Sequence, residues 1–384
     1  MKKKVSIWAA SLLAFGMVAT THAAQRPYET VYAMSNSSRG NEIAVLTRGA
    51  GGQLSLSRRY STGGVGSGVG TAAPGDPLGS GRAVIVTENG RWLLAANAGS
   101  NTVSSFRMVG DRLALSGIVP SGGRYPTSIA QRGNLIYVLN AGGVGTIAGF
   151  RIDNRGRLLP IPNSIRILRT NAPDVGPQPD AVRTAAQVQF TPDGRWLVVP
   201  IKRFDSPGEI RLYSVDEDGI LASTPVVTPS TEGSPFAFGF DIHGNLLQTE
   251  LLAGALTAYS IEKDGHLQAI SATVVNHQTA TCWVESTPDY AYTTNPLSDT
   301  ISGYRISRDG SLSLLNPTGV SAFLGANHFP LDLKISDRGQ FLNVVNAGIG
   351  AVQTYRIQDD GQLSLLNEVP LFPGFSGMAG LATN

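Results

Sequence analysis

Five apolar runs in this chain end on asparagine, at Asn36, Asn97, Asn140, Asn295 and Asn346, whereas the matching run Asn245-Leu-Leu-Gln-Thr-Glu250 ends on a carboxylate. A third kind of ending follows Arg195-Trp-Leu-Val-Val-Pro200, where Ile201, Lys202 and Arg203 take the place of the amide. Asparagine repeated at one position reads as a turn residue whose side chain ties down loop backbone. Glu250, flanked by Thr249 and Leu251, is instead expected to be partly desolvated, which raises a carboxyl pKa toward the range of a general base. Lys202 or Arg203 would orient it or stabilise a developing oxyanion. The same residues could equally serve only as an ion pair between neighbouring units. Five histidines are present, and only His277 and His328 fall in long loops, where they are candidate proton donors. The lone cysteine, Cys282, reads as a small buried apolar residue. No metal-ligand spacing, phosphate-binding glycine loop or Gly-x-Ser-x-Gly elbow occurs, so neither metal nor cofactor is expected.

Positioning these groups falls to a repeat. Arg91-Trp-Leu-Leu-Ala-Ala-Asn97 is followed by a short polar loop, an alternating run ending at Phe106, a glycine turn at Gly110 and Leu113, and the order returns six more times. The aromatics Phe106, Phe150, Tyr213, Tyr259, Tyr304 and Tyr355 lie 44, 63, 46, 45 and 51 residues apart. Such periods, with two-residue alternation, predict an all-β, seven-bladed β-propeller with four antiparallel strands per blade. The first strand, Thr30 to Asn36, matches the second strand of the other units, and Ser376 to Thr383 matches the innermost. A ring closed by N- and C-terminal strands in one blade follows, which removes an open sheet edge. Asp-Gly turns such as Asp264-Gly265 mark one face as scaffold. Long irregular loops, including Ser57 to Gly81 and Pro160 to Ala186, mark the other as the expected functional face. Gln187, Gln189, Glu285 and Asp332 are expected to line the channel as structural filling.

Residues 1–23 read as a cleaved leader: Lys2 to Lys4, an apolar stretch from Val5 to Ala19, and small residues at Thr21 and Ala23. The expected product is one domain over residues 24–384, in a periplasm or secreted. Losing the leader takes three lysines from the 30 basic residues, leaving 27 against 28 acidic ones. A charge near zero gives no basic field for nucleic acid or an anionic membrane. The apolar stretch is too short to span a bilayer, so no membrane insertion is expected. With one cysteine, an exported chain has no internal disulfide and depends on its core.

The Gly-Arg-Trp-Leu-Leu-Ala-Ala-Asn-Ala-Gly-Ser-Asn-Thr-Val-Ser-Ser-Phe unit, Thr191-Pro-Asp-Gly-Arg-Trp and Asp309-Gly-Ser-Leu-Ser-Leu resemble the lactonase family of seven-bladed propellers, which includes propeller-type 6-phosphogluconolactonases and carboxymuconate cyclases. The resemblance runs from about Thr30 to Asn384 and implies an acidic residue at Glu250 with a Lys-and-Asp loop at Lys202 and Asp205. The family's histidine on the inner strand of blade 4 falls at about Ala186, its Pro-Arg-His motif at Pro235-Phe236-Ala237, and no Arg enters blade 6 at Thr279 to Cys282. Arginine would grip a phosphate bidentately, so hydrolysis of an unphosphorylated lactone or cyclic ester is the expected activity. A sugar-derived ligand fits this expectation, as does a monomer. A second resemblance, of Tyr292-Thr-Thr-Asn295 to exported surface-layer propellers, implies the alternative of a non-catalytic module binding a glycan, a cell-envelope component or a protein. A lactonising isomerase ranks third.

Overall fold

Alternating apolar residues bounded by glycine turns form seven antiparallel sheets set as blades around an axis. The computed structural model describes residues 29–384 except 72–74, 171, 173, 176–177, 204–206 and 337, and at 174 and 175 the backbone alone. The leader-like segment 1–23 and Asp205 lie outside the described residues. Blade 3 is representative: Pro126–Arg132, Leu135–Asn140, Thr146–Ile152 and Leu158–Pro160 run outward from the axis, as the repeat predicts. One feature was not legible in the repeat. The outermost strand of blade 3 is broken, with Leu158–Pro160 and Arg166–Ile167 both pairing with Thr146–Ile152. Pro160 and Pro162 lie at the break and offer no N–H to the ladder, and the outer strands of blades 5 and 6 are divided in the same way.

Ring closure occurs in blade 1. Thr30–Met34 pairs with Glu42–Arg48 on one side and with Leu381–Thr383 on the other, in the register Val31 to Thr383, Tyr32 to Ala382 and Ala33 to Leu381. The chain's last strand is thus the innermost strand of its first blade.

Adjacent blades are keyed together where the residue opening a second strand packs on a glycine in the outer turn of the next blade. Trp92 packs against Gly156 in the outer turn of the next blade, where an added Cβ would come within 2.4 Å of the indole, and Trp196 packs on Gly265 in the same way. Glycine is required there for room as well as for its left-handed φ of 80° or 90°. Three inner strands open on proline, at Pro126, Pro235 and Pro330, and each then shifts register within three residues. Such a bulge re-aims side chains, and in blade 7 it contains Leu331 and Asp332.

Candidate active site in the axial channel

Glu250, Lys202, Arg203, His277 and His328 do not assemble into one site. Strand alternation turns Leu246, Gln248 and Glu250 toward blade 4, with Leu246 packed on Trp196 and Val198, while Thr249 turns the other way and donates to the Cys282 carbonyl. Glu250 therefore lies fully buried between blades 4 and 5 rather than at the axis. Its Oε2 accepts from the Ser230 hydroxyl at 2.5 Å. That is the task asparagine performs elsewhere: Asn97 accepts from the Thr62 hydroxyl at 2.7 Å, and Asn140 donates to the Ser121 carbonyl at 3.2 Å. Burial pushes the Glu250 carboxyl up to about 8, against the opposing Ser230 hydrogen bond. At neutral pH it is a protonated structural acid and not a base.

A stability test follows from that protonation. The folded chain keeps a proton that the unfolded chain releases at the ordinary carboxylate pKa, so the stabilisation is complete below that value and is lost as pH rises through about 8. Glu250→Gln, which mimics the protonated form, should match wild type at pH 5 and melt higher at pH 9, by roughly 5 °C. Thermal melts of both proteins at the two pH values check this.

The remaining candidates are dispersed. Arg203 pairs with Glu209 at 3.3 Å. His277 is exposed on the connection between blades 5 and 6, and His328 faces Glu368 of blade 7 at 3.4 Å. Lys202 does reach the axis, but it is fully buried. Its ammonium lies 4.4 Å from the centre of the Phe236 ring and donates to the Gly79 carbonyl. Burial pulls the lysine down to about 8, with Asp76 partly restoring it, and pushes Asp76 up to about 6. Cys282 sits nearby with its thiol pushed up by burial, as expected for an inert core residue.

Gly79 belongs to a strap, residues 75–81 of the blade 1 to blade 2 connection, that crosses the mouth on the long-loop side. Ser80 donates to the Thr127 carbonyl of blade 3 at 2.7 Å and accepts from the Trp283 indole of blade 6 at 3.1 Å, so the chain spans the axis. Tyr125 holds the Pro77 carbonyl at 2.8 Å. The long loops pack on one another, with Gln178 accepting from Thr71 N–H and donating to the Ser67 and Val69 carbonyls, each at 3.0 Å. The face expected to present a site is closed by its own connections.

The channel opens at the opposite, turn-bearing end. A cavity of about 450 Å³ extends from the strap at Gly81 to the turns at Glu88, Pro192 and Asp241, within the range of about 300–1,000 Å³ common for small-molecule sites. Gln187, Gln189, Glu285 and Asp332 line it, as their inner-strand positions predict. Asp332 is buried, and its Oδ2 accepts from Gly380 N–H at 2.9 Å. Burial is the first cause that raises its carboxyl to about 7, opposed chiefly by the Gly380 hydrogen bond. Arg82 enters the same cavity from a backbone at φ 66°. Burial pulls its guanidinium down, offset by Glu285 and Glu88, and since arginine does not deprotonate, it remains an under-solvated cation. Lys334 is paired with Glu285. The cavity thus combines a carboxyl near neutrality with a cation suited to a developing oxyanion. Sequence reasoning named Asp332 only as filling and missed Arg82. The signal for the former was the proline and bulge opening its strand; for the latter there was none. Among the described residues, no group of three or more His, Cys, Asp and Glu is placed to hold a metal, and no helix is long and apolar enough to cross a membrane.

The family model for the seven-bladed β-propeller lactonases matches residues 143–374. The chain belongs to that family. No curated protein matches it in sequence. Among solved structures it is similar to a proposed 6-phosphogluconolactonase from Bacteroides fragilis, with 18% identity, 94% of this chain and 99% of the other covered, and a TM-score of 0.69. A proposed 6-phosphogluconolactonase from Bacteroides uniformis gives 19%, 91%, 99% and 0.68, and a periplasmic gluconolactonase from Pseudomonas aeruginosa gives 16%, 93%, 98% and 0.69. At such identities the likeness is one of fold.

Proposed function

We propose that this protein hydrolyses a small unphosphorylated lactone that enters the axial cavity from the turn-bearing face. The observation that carries the reading is Asp332, a carboxyl near neutrality in the wall of the cavity. Ionised Asp332 takes a proton from water as the water oxygen bonds to the lactone carbonyl carbon, and Arg82 stabilises the resulting oxyanion. Collapse of that intermediate breaks the ring C–O bond. The proton held by Asp332 passes to the departing alkoxide, leaving a hydroxy acid.

An unphosphorylated substrate is supported by the state of the cavity's cations. Arg132 donates to the Pro192 and Asp193 carbonyls at 2.8 and 3.0 Å, Lys334 is taken by Glu285, and Arg82 faces Glu285 and Glu88, so each cation of the cavity is already engaged by the protein. Export is part of the proposal, supported by the leader-like pattern of residues 1–23. The purified protein should open glucono-δ-lactone in a pH-indicator assay and open its 6-phosphate at least about tenfold more slowly in kcat/KM. Saturable binding of gluconate without turnover of any lactone would favour the non-catalytic alternative.

A further inference from the structure

We propose that the axial cavity continues into a lateral subsite that takes a second, uncharged sugar residue, so that the substrate is a lactone bearing a neutral glycosyl extension. This rests on the lactone reading above and concerns which lactone is used. A groove of about 540 Å³ runs outward across the turns of blades 3 and 4. It shares Glu88, Arg132 and Phe190 with the axial cavity. These three residues come from different blades, and the two spaces adjoin across them.

The chemistry of the groove points to a hydroxyl-rich occupant. Arg132 is fixed edge-on by the Pro192 and Asp193 carbonyls, with one face against Gly194, where an added Cβ would come within 1.9 Å of Nε. Arg151 is likewise held by Asn134 Oδ1 at 3.1 Å and the Asp218 carbonyl at 2.6 Å. Two N–H groups of each guanidinium are engaged by the protein, which weakens the fork that would clamp an anion. The exposed Arg132 leaves its other planar face to cover the apolar face of a pyranose. Asp216, Glu217 and Glu88 line the same groove and accept from hydroxyls. Three carboxylates against two guanidiniums disfavour an anionic extension.

The test compares cellobiono-δ-lactone with glucono-δ-lactone in wild type and in Arg151→Ala/Glu217→Ala. Wild type should favour the disaccharide lactone by about tenfold or more in kcat/KM, and the double variant should lose most of that ratio. Equal kcat/KM in wild type, or a ratio that survives the double substitution, overturns the subsite while leaving the lactone reading intact. Should neither lactone be opened, that reading fails. Calorimetric binding of cellobionate against gluconate then decides the subsite: about tenfold tighter cellobionate binding, lost in the double variant, supports it, and equal binding overturns it.

Discussion

Asp332→Asn is expected to lower lactone turnover by about 10²–10⁴-fold, the usual contribution of a positioned general base. The amide keeps the size of the side chain and an oxygen for the Gly380 N–H, so folding should survive while proton transfer does not. The pH dependence makes the result specific. Because burial raises the Asp332 carboxyl to about 7, wild-type kcat/KM should rise as pH increases through about 7 and the base ionises, and this inflection should vanish in the variant. Retained turnover in Asp332→Asn, with the inflection in place, would remove Asp332 from the mechanism. Thermal melts alongside the kinetics separate lost chemistry from lost structure.

Removing Leu381–Thr383 should have the largest effect on stability. Without it, Val31, Tyr32, Ala33 and Met34, all fully buried, lose one flank of their sheet, and an unpaired apolar edge invites association with other chains. The loss of buried Leu381 alone is worth about 2–5 kcal/mol, before the strand pairing is counted. A chain ending at Gly380 should melt on the order of 10 °C lower or fail to fold as a soluble species, as read by thermal scanning and size-exclusion chromatography. Ala382→Pro offers a milder version, since it deletes a ladder donor opposite Tyr32 without shortening the chain. A melting temperature unchanged in both would mean that the ring is held elsewhere.

The contrast between fold and site has a physical origin. Blade number, strand order and ring closure are local properties, because an aromatic, a glycine turn and an alternating run recur at each blade and each carries its own conformational preference. Asn97 and Asn140 were readable as architecture for the same reason, and their hydrogen bonds to the preceding blade bear this out. Glu250 differed from them in chemistry but not in place. The pattern fixed its position at the end of a second strand, while the direction of its side chain depended on how that strand meets blade 4. Lys202 and Glu250 therefore point to different interiors. The strap was hidden more deeply. A Gly- and Pro-rich stretch from Gly63 to Gly81 says loop, and nothing local says that Ser80 will bond to blades 3 and 6 at once. That contact closes the expected face and leaves the open cavity to Asp332 and Arg82.

The hydrogen bond from Gly380 to Asp332 couples the proposed base to the segment that closes the ring. Six complete blades without that segment hold a carboxyl without its donor and a circle with a gap. Opening of the closing strand should therefore cost the proposed activity together with the ring.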